Sequence, residues 1–404
     1  MTIQGILAVL QLTAGVGMSE SKDTTDDSWG AMGEDWRLIE SMLPAGWMDK
    51  ARELHALRRT RGFADARALL QVMLIHLAEG CGLRETVTRA ALAGIADVSD
   101  VALLKRLKSC ERWFEWMAQQ MRASLAPRED VWAQRAPALL SERRLRVVDG
   151  SMVKEPGPTG SQWRLHYAIG LPELECQEVH LSSRDEGETL KRFLVSAGDI
   201  FVADRGYANP GGIAHVKQHR ADVIVRLNLV TLPLYAPDSQ ERWDILEHVR
   251  GIAVGQPRSW AVSVRPSKAG PAITGRLCAV RKSAQAAADA RERAARESRS
   301  GGHALQPQTL EAADYIFVFT TLDDSVAADQ VMEIYRLRWQ IEIEFKRLKS
   351  LVQLGHLKKH DAQAARSWLQ GKLLVALLTA RLIHHAERVS PWGYDIAAPA
   401  LSVA

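Results

Sequence analysis

The stretch "YRLRWQIEIEFKRLKS", residues Tyr335 to Ser350, sets two glutamates two positions apart inside a run of arginines and lysines. Which of them does chemistry decides what the rest of the chain must build around it. Wound as one α-helix at about 100° per residue, Tyr335, Arg338, Glu342 and Lys349 share an arc of about 60°. Glu344 falls on the other side. Ile334, Leu337, Ile341, Phe345, Leu348 and Val352 form a separate apolar stripe beside that arc. The polar row therefore runs along the edge of the core, half sheltered, and the carboxylate flanked by cations is Glu342. A solvated helix with i,i+4 ion pairs would carry the same residue types. Sheltered polar groups on one line instead call for a partner elsewhere in the chain.

The chain has 404 residues, enough for two or three domains and a large core. With 47% hydrophobic and 25% charged residues it reads as globular, and 12 Trp is a heavy aromatic load. A net charge of +4 is compatible with nucleic acid without pointing to it. Its distribution says more: residues 20–49 hold eight acidic and two basic side chains, residues 335–359 seven basic and two acidic. Cys81, Cys110, Cys176 and Cys278 are dispersed with no C-x-x-C pair. They form neither a zinc knuckle nor a disulfide framework, which suits a reducing cytoplasm. The apolar opening "MTIQGILAVLQLTAGVGMS" lacks the basic start of a signal peptide. The run "LLVALLTARLI" is too short to span a bilayer. A soluble, cytoplasmic protein is expected.

Residues 1–34 read as an acidic and apolar lead segment, and residues 35–135 as helical. There, "LRETVTRAALAGI" is followed by a short turn and "SDVALLKRLKSCERWFEWM", with Ser99 placed to cap the second helix. Two helices so spaced, the second bearing Lys105, Arg106 and Lys108, fit a helix-turn-helix. They fit an ordinary bundle with a basic solvent face equally well. From residue 144 the pattern turns to strands: "RLRVVDG", "WRLHYAIGL" and "CQEVHLSS", then a short helix "GETLKRFLV" and the strand "DIFVADRGY". Helix "PGGIAHVKQHR" and strand "ADVIVRLN" follow. Residues 229–313 break the rhythm with strand-like pieces and a helix-prone, low-complexity run. The strand "DYIFVFTTL" then leads into the opening stretch. The series predicts an α/β domain over 136–228 and 314–388, interrupted by a mostly β insertion subdomain at 229–313. An all-helical N-terminal domain precedes it and a tail at 389–404 follows.

Asp149 and Asp204 each close an apolar, β-rich run just before a turn containing glycine. Aspartate is a good turn former in its own right. Two strand-end aspartates with a helix glutamate among cations make a more specific set, because strand ends are where ligands gather in open α/β sheets. Three hard oxygen ligands without His or Cys partners suit Mg²⁺ or Mn²⁺. Two such ions about 4 Å apart activate water and stabilise the leaving oxygen in phosphodiester cleavage.

Asp149 in "VVDG", Asp204 in "ADRGY", and the spacing of Tyr335, Arg338, Glu342 and Lys349 resemble the YREK signature of DDE transposases of bacterial insertion sequences, the insertion-sequence-four family. The resemblance runs from about Ser99 to His385. It implies a ribonuclease H-like catalytic core with an insertion between the second aspartate and the glutamate. By the same resemblance, Asp149, Asp204 and Glu342 would bind two metal ions, and Tyr335, Arg338 and Lys349 would hold phosphates of the transposon end. It further implies cut-and-paste transposition through a DNA hairpin, joining to target DNA, and a homodimer on double-stranded DNA. A base flipped onto an aromatic side chain would ease the hairpin, with Tyr315 as a candidate by position and Trp243 or Trp260 as alternatives, although core packing is the commoner role for any one of them. Some members carry a C-terminal dimerisation domain, whereas here about 16 residues follow the last helix, a departure that puts dimerisation by that route in doubt.

His356 and His360 in "HLKKH" stand at i,i+4, half of a zinc site with no third ligand nearby. His166 and His76 read as packing histidines. Arg164 and Arg226, on strands, fit either DNA backbone contacts or structural ion pairs. Alternatives to a transposase associated with the nucleoid when on DNA are an inactive or domesticated DNA-binding protein and a structure-specific nuclease of the same fold.

Overall fold

The computed structural model describes residues 36–123, 143–154, 161–171, 175–265, 272–302, 304–351, 357 and 361–389. The lead segment, nearly all of the 389–404 tail, His356 and His360 lie outside these residues, as does the side chain of Glu344.

In chain order, the N-terminal helices are α1 (Trp47–Glu53), α2 (Ala66–Ala78), α3 (Leu83–Leu92), α4 (Asp100–Ser109) and α5 (Glu111–Ala123). Strands β1 (Arg144–Lys154), β2 (Ser161–Leu171), β3 (Glu175–Ser183) and β4 (Asp199–Ala203) follow, then α6 (Pro210–Gln218) and β5 (Asp222–Arg226). Next come α7 (Ile245–Val249), β6 (Arg258–Val264), β7 (Ile273–Arg281), α8 (Ala284–Gly301), α9 (Pro307–Ala312) and β8 (Tyr315–Thr320). The chain closes with α10 (Ala328–Arg336), α11 (Trp339–Leu351) and α12 (Ala362–Val389). No helix among the described residues is long and apolar enough to cross a membrane.

The eight strands form one sheet in the order β3-β2-β1-β4-β5-β8-β7-β6. β4 is parallel to both β1 and β5. It is buried along its whole length, as a parallel strand covered on both faces must be. β5 pairs antiparallel with β8, and β8 with β7. Among its described residues the segment 229–313 builds no sheet of its own, contrary to the expected subdomain: β6 and β7 extend the main sheet beyond β8. Nor is it mostly β, because α8 alone has 18 residues against 7 and 9 for the two strands. One helix departs from the sequence reading, and the next, after Asn209, is present as expected. After β3, the expected helix "GETLKRFLV" shrinks to one 3₁₀ turn, Leu190–Arg192, capped by Thr189. Asn209 caps α6 as a regular helix, its Oδ1 accepting from Gly212 N at 2.8 Å.

Contacts divide the chain into two compact units, one of residues 1–126, 153–162 and 346–404, the other of 127–152 and 163–345. In the first, α12 packs on α5, α2 and α4 rather than alongside the strands. Gly371 permits this close approach: a Cβ there would lie 2.5 Å from Leu77 Cδ1 and 3.2 Å from Phe114 Cδ2. Trp113, fully buried, stacks 6.0 Å from Trp47 and donates to its carbonyl oxygen at 2.9 Å.

The opening stretch does not wind as one helix. Leu337 N donates to Ile334 O, Arg338 N to Tyr335 O and Gln340 N to Leu337 O, all at 3.0 Å. These three-residue bonds tighten the chain to about three residues per turn, so α10 ends and α11 starts afresh. Ile334, Ile341 and Phe345 are buried as expected, whereas Glu342 and Lys349 are exposed rather than half sheltered.

Beside the β1–β4 pair lies a buried charge cluster. Arg146 donates to Glu178 Oε2 at 2.7 Å and stands 3.5 Å from Asp199 Oδ2. Burial pushes the Glu178 carboxyl up, but hydrogen bonds from His180, Arg146 and Leu194 N outweigh that and hold it below the usual range. Arg146→Met should leave Glu178 to His180 and Leu194 N and Asp199 to Arg144 at 2.8 Å, removing the guanidinium that both buried carboxylates share and destabilising the protein by about 3 kcal/mol. Urea unfolding reads this as a lower midpoint at unchanged slope, and an unshifted midpoint refutes it.

Candidate active site

Asp149 and Asp204 are neighbours because of strand register. The parallel pairing of β1 with β4 ends at Val148↔Ala203, and the next residue on each chain is an aspartate. Adjacent strands lie about 4.8 Å apart, so the two carboxyl groups start from adjacent backbone positions. The expected turn after Asp149 is absent, since β1 runs on to Lys154. The turn follows Asp204 alone, where Tyr207 N donates to Asp204 O at 3.2 Å. Asp149 Oδ1 accepts from Gly150 N, and Asp204 Oδ1 from Gly206 N, each at 2.7 Å. Burial pushes the Asp149 carboxyl up to about 7, and the charge of Asp204 pushes the same way, against Gly150 N–H and Arg338.

Arg338, in the tight link between α10 and α11, bridges the remaining acid. Its guanidinium lies 3.7 Å from Asp149 Oδ2 and donates to Glu342 Oε1 at 2.5 Å. Its charge also lies over the Tyr335 ring, 5.9 Å from the centroid. Burial raises the Tyr335 phenol, with Arg338 and Arg226 opposing. Arg226, exposed at the end of β5, therefore faces the same region. Lys349 is exposed farther along α11, in the segment that clusters with the helical unit.

Two features were not read from the sequence. Glu188 lies between Gly150 and Gly206, the glycines near Asp149 and Asp204, and Arg164 Nε stands 3.7 Å from its Oε1. Burial raises its carboxyl, Arg164 lowers it and Asp204 raises it. The signal for it was Gly187 ahead and the capping Thr189 behind, which exclude Glu188 from any helix. Trp339 is the second: it is 48% exposed, next to Arg338. The aromatic candidates taken from sequence are packed instead. Tyr315 is buried against Phe317, and Trp243 stacks on His248 at 4.1 Å and packs by Trp260.

The acids suit a divalent cation by donor type and by charge: hard oxygens with like charge incompletely offset. Among the described residues, no three His, Cys, Asp or Glu converge as a ligand set, and Glu342 is turned to Arg338. In the helical unit, Ser99 caps α4, accepting from Ala102 N at 3.2 Å. Of the three cations on α4, Arg106 donates to Arg59 O and Lys108 pairs with Asp361 at 3.1 Å, while Lys105 is exposed. Leu103 and Leu107 are buried where α4 packs on α12. His76 is buried with Nδ1 2.8 Å from Cys81 O, a packing histidine as expected.

Residues 140–378 match the family described as "Transposase DDE domain". The chain is 35% identical over 362 residues to the putative transposase InsL for insertion sequence element IS186A of Escherichia coli strain K12, covering 88% of this chain and 94% of that protein. It is 35% identical over 363 residues, with the same coverage, to the transposase for insertion sequence element IS421 of Escherichia coli. A shorter likeness, 30% over 73 residues, is to the transposase for insertion sequence element IS1151 of Clostridium perfringens, covering 18% of this chain and 15% of that one.

Behind the acids runs a buried polar chain. Ser182 Oγ donates to Ser183 O at 3.1 Å, so it accepts from His166 Nε2–H at 2.9 Å. That tautomer leaves Nδ1 as the acceptor for the Tyr207 hydroxyl at 2.8 Å. Burial, then Arg192, Arg164 and His180, lowers the His166 pKa to about 3. The folded protein thus holds this ring neutral, while the unfolded chain protonates it near 6.5. Stability from the neutral ring is full above the unfolded value and falls as pH drops from 6.5 toward 3. Between pH 7 and pH 5 the parent should lose on the order of 2 kcal/mol more than His166→Gln, which cannot titrate. Parallel urea curves at the two pH values measure it; equal losses would refute the assignment.

Proposed function

This chain belongs to the family of DDE transposases, and on that premise we propose that it cuts DNA at the ends of its own insertion sequence and joins those ends to target DNA. The observation that carries this reading is the β1–β4 register, which puts Asp149 and Asp204 side by side with Arg338 3.7 Å from the first. As an enzyme of this family it acts on DNA, and such domains generally use divalent metal ions. Asp149, Asp204 and Glu342 would hold two Mg²⁺ or Mn²⁺ ions. Those ions supply activation of the attacking hydroxyl and stabilisation of the leaving oxygen.

The chain's own side chains do the rest. Asp149 is held by the Gly150 N–H and faced by Arg338, which fixes its orientation. A phosphodiester approaching three carboxylates is repelled unless cations offset it. Arg338 and Arg226 would supply positive charge along its path and Tyr335 a hydroxyl, while by the family resemblance Lys349 would hold a further phosphate. Arg338 already spans Asp149 and Glu342, so a phosphate oxygen that draws it away frees Glu342 to turn inward. Second-strand cleavage through a hairpin and action as a homodimer complete the reading, and both rest on the family resemblance.

Asp149→Ala, Asp204→Ala and Glu342→Ala should each abolish cleavage of an end-containing duplex while retaining DNA binding. Any one of them cutting at the parental rate refutes the assignment of that residue. Joined products in a target-plasmid assay separate a transposase from a nuclease, which yields cut products alone, and from a DNA-binding protein, which yields neither. Lys349→Ala and Arg338→Ala should each lower the slope of log affinity against log salt by about one, the value for one lost phosphate contact. An unchanged slope returns both residues to a purely intramolecular role.

A further inference from the structure

Glu188 is the acid at this site that the YREK pattern does not include, and its surroundings are built to admit it. Its carboxylate lies between the glycines that follow Asp149 and Asp204. A Cβ on Gly150 would stand 2.5 Å from Glu188 Oε1, and one on Gly206 would stand 1.7 Å from Oε2. Each glycine gives way to one oxygen of the same carboxylate. Asp204 Oδ1 is 3.1 Å from that same Gly206 position, so the two acids share one small volume. The counter-charge beside Glu188 is Arg164 at 3.7 Å, and that guanidinium also faces Met152 Sδ and the carbonyl of Glu186. Arg338, the cation on the opposite side, is committed to Asp149 and Glu342.

We propose that Glu188 is a fourth carboxylate of the metal site, positioned by Gly150 and Gly206 to raise the affinity of the Asp149–Asp204 pair for a divalent cation. The inference rests on the reading of that pair given above. Carboxylates this close repel one another when no cation is bound, and a doubly charged ion drawn between Glu188 and the aspartate pair would relieve that repulsion. A purely structural glutamate would gain from Arg164 alone and would need no glycine at position 150 or 206. The chain also fixes Glu188 independently of its side chain: Asn209 Nδ2 donates to its carbonyl oxygen at 3.3 Å, tying it to the cap of α6.

The test is Mn²⁺ binding by the full-length protein, followed by the electron paramagnetic resonance of free Mn²⁺, with thermal melting alongside. Glu188→Gln, equal in shape but uncharged, should weaken Mn²⁺ binding by about 10- to 100-fold, the range for losing a group that supports metal ligands. Its melting temperature without metal should be equal to or above the parent's, because a repulsion is removed. Excess Mn²⁺ should restore DNA cleavage to Glu188→Gln and not to Asp204→Asn. Glu186→Gln, two residues away and paired with Arg192 at 3.2 Å, should bind Mn²⁺ as the parent does. Should Glu188→Gln not fold, Glu188→Asp, which keeps the charge on a shorter arm, serves the same measurement and should fall between parent and Asp204→Asn. Parental Mn²⁺ affinity in either Glu188 variant, with affinity lost in Asp204→Asn, overturns the role of Glu188 alone. Parental affinity in Asp204→Asn overturns the reading of the aspartate pair, and this inference with it.

Discussion

The parallel ladder between β1 and β4 stops one residue short of two aspartates, and that coincidence of register governs the site. Parallel strands carry side chains in matching phase, so residues just past the last rung point from neighbouring backbones in the same sense. The strands around them are buried on both faces, which fixes the register strongly: a slip by one residue would turn the apolar side chains of β4 the wrong way. Like charges are thus forced together by packing that has nothing to do with charge. The raised carboxyl of Asp149 records the electrostatic consequence.

Around that enforced repulsion the protein arranges partial compensation. Arg338 answers Asp149 and Glu342, Arg164 answers Glu188, and backbone N–H groups of Gly150 and Gly206 answer one oxygen of each aspartate. None of the guanidinium contacts to Asp149 or Glu188 is closer than 3.7 Å. Behind the acids the chemistry differs. The Ser182–His166–Tyr207 chain pairs each of its three donors and keeps its imidazole neutral. A buried, hydrogen-bonded backing and an incompletely paired front let charge respond to a ligand without loosening the sheet.

Strand identity was legible wherever burial was two-sided. "DIFVA" and "DVIVR" are continuous apolar runs, and both are strands at those positions. The pairing of Asp149 with Asp204 followed from their like placement in two such runs. Glu188 was hidden because "GETLKRFLV" has helical spacing, and a composition suited to a helix does not reveal that only Leu190–Arg192 turns. The break at Leu337 was hidden for a related reason: no Pro or Gly marks it, and it exists only as three-residue hydrogen bonds. The insertion misled because strand edges are satisfied across space. Nothing local to "RSWAVSV" or "ITGRLCAVR" says that their partner is β8 in the main sheet. Two of the three cations on α4 read as available for DNA are taken by Arg59 O and Asp361, partners far away in sequence.

β8 stands between β5, where the parallel core ends, and β7, the inner strand of the insertion. On one side it matches Ile224↔Thr320 and Arg226↔Val318, on the other six rungs from Arg276↔Thr320 to Arg281↔Tyr315. A short link then leads to α10 and on to Arg338. The inserted strands thus act as a ruler for the helix that follows. If β8 were clamped on one side only, a slide of one residue would carry α10 along by about 3.3 Å, enough to part Arg338 from Asp149. An insertion that looks dispensable to the aspartates is what calibrates their distance to the arginine.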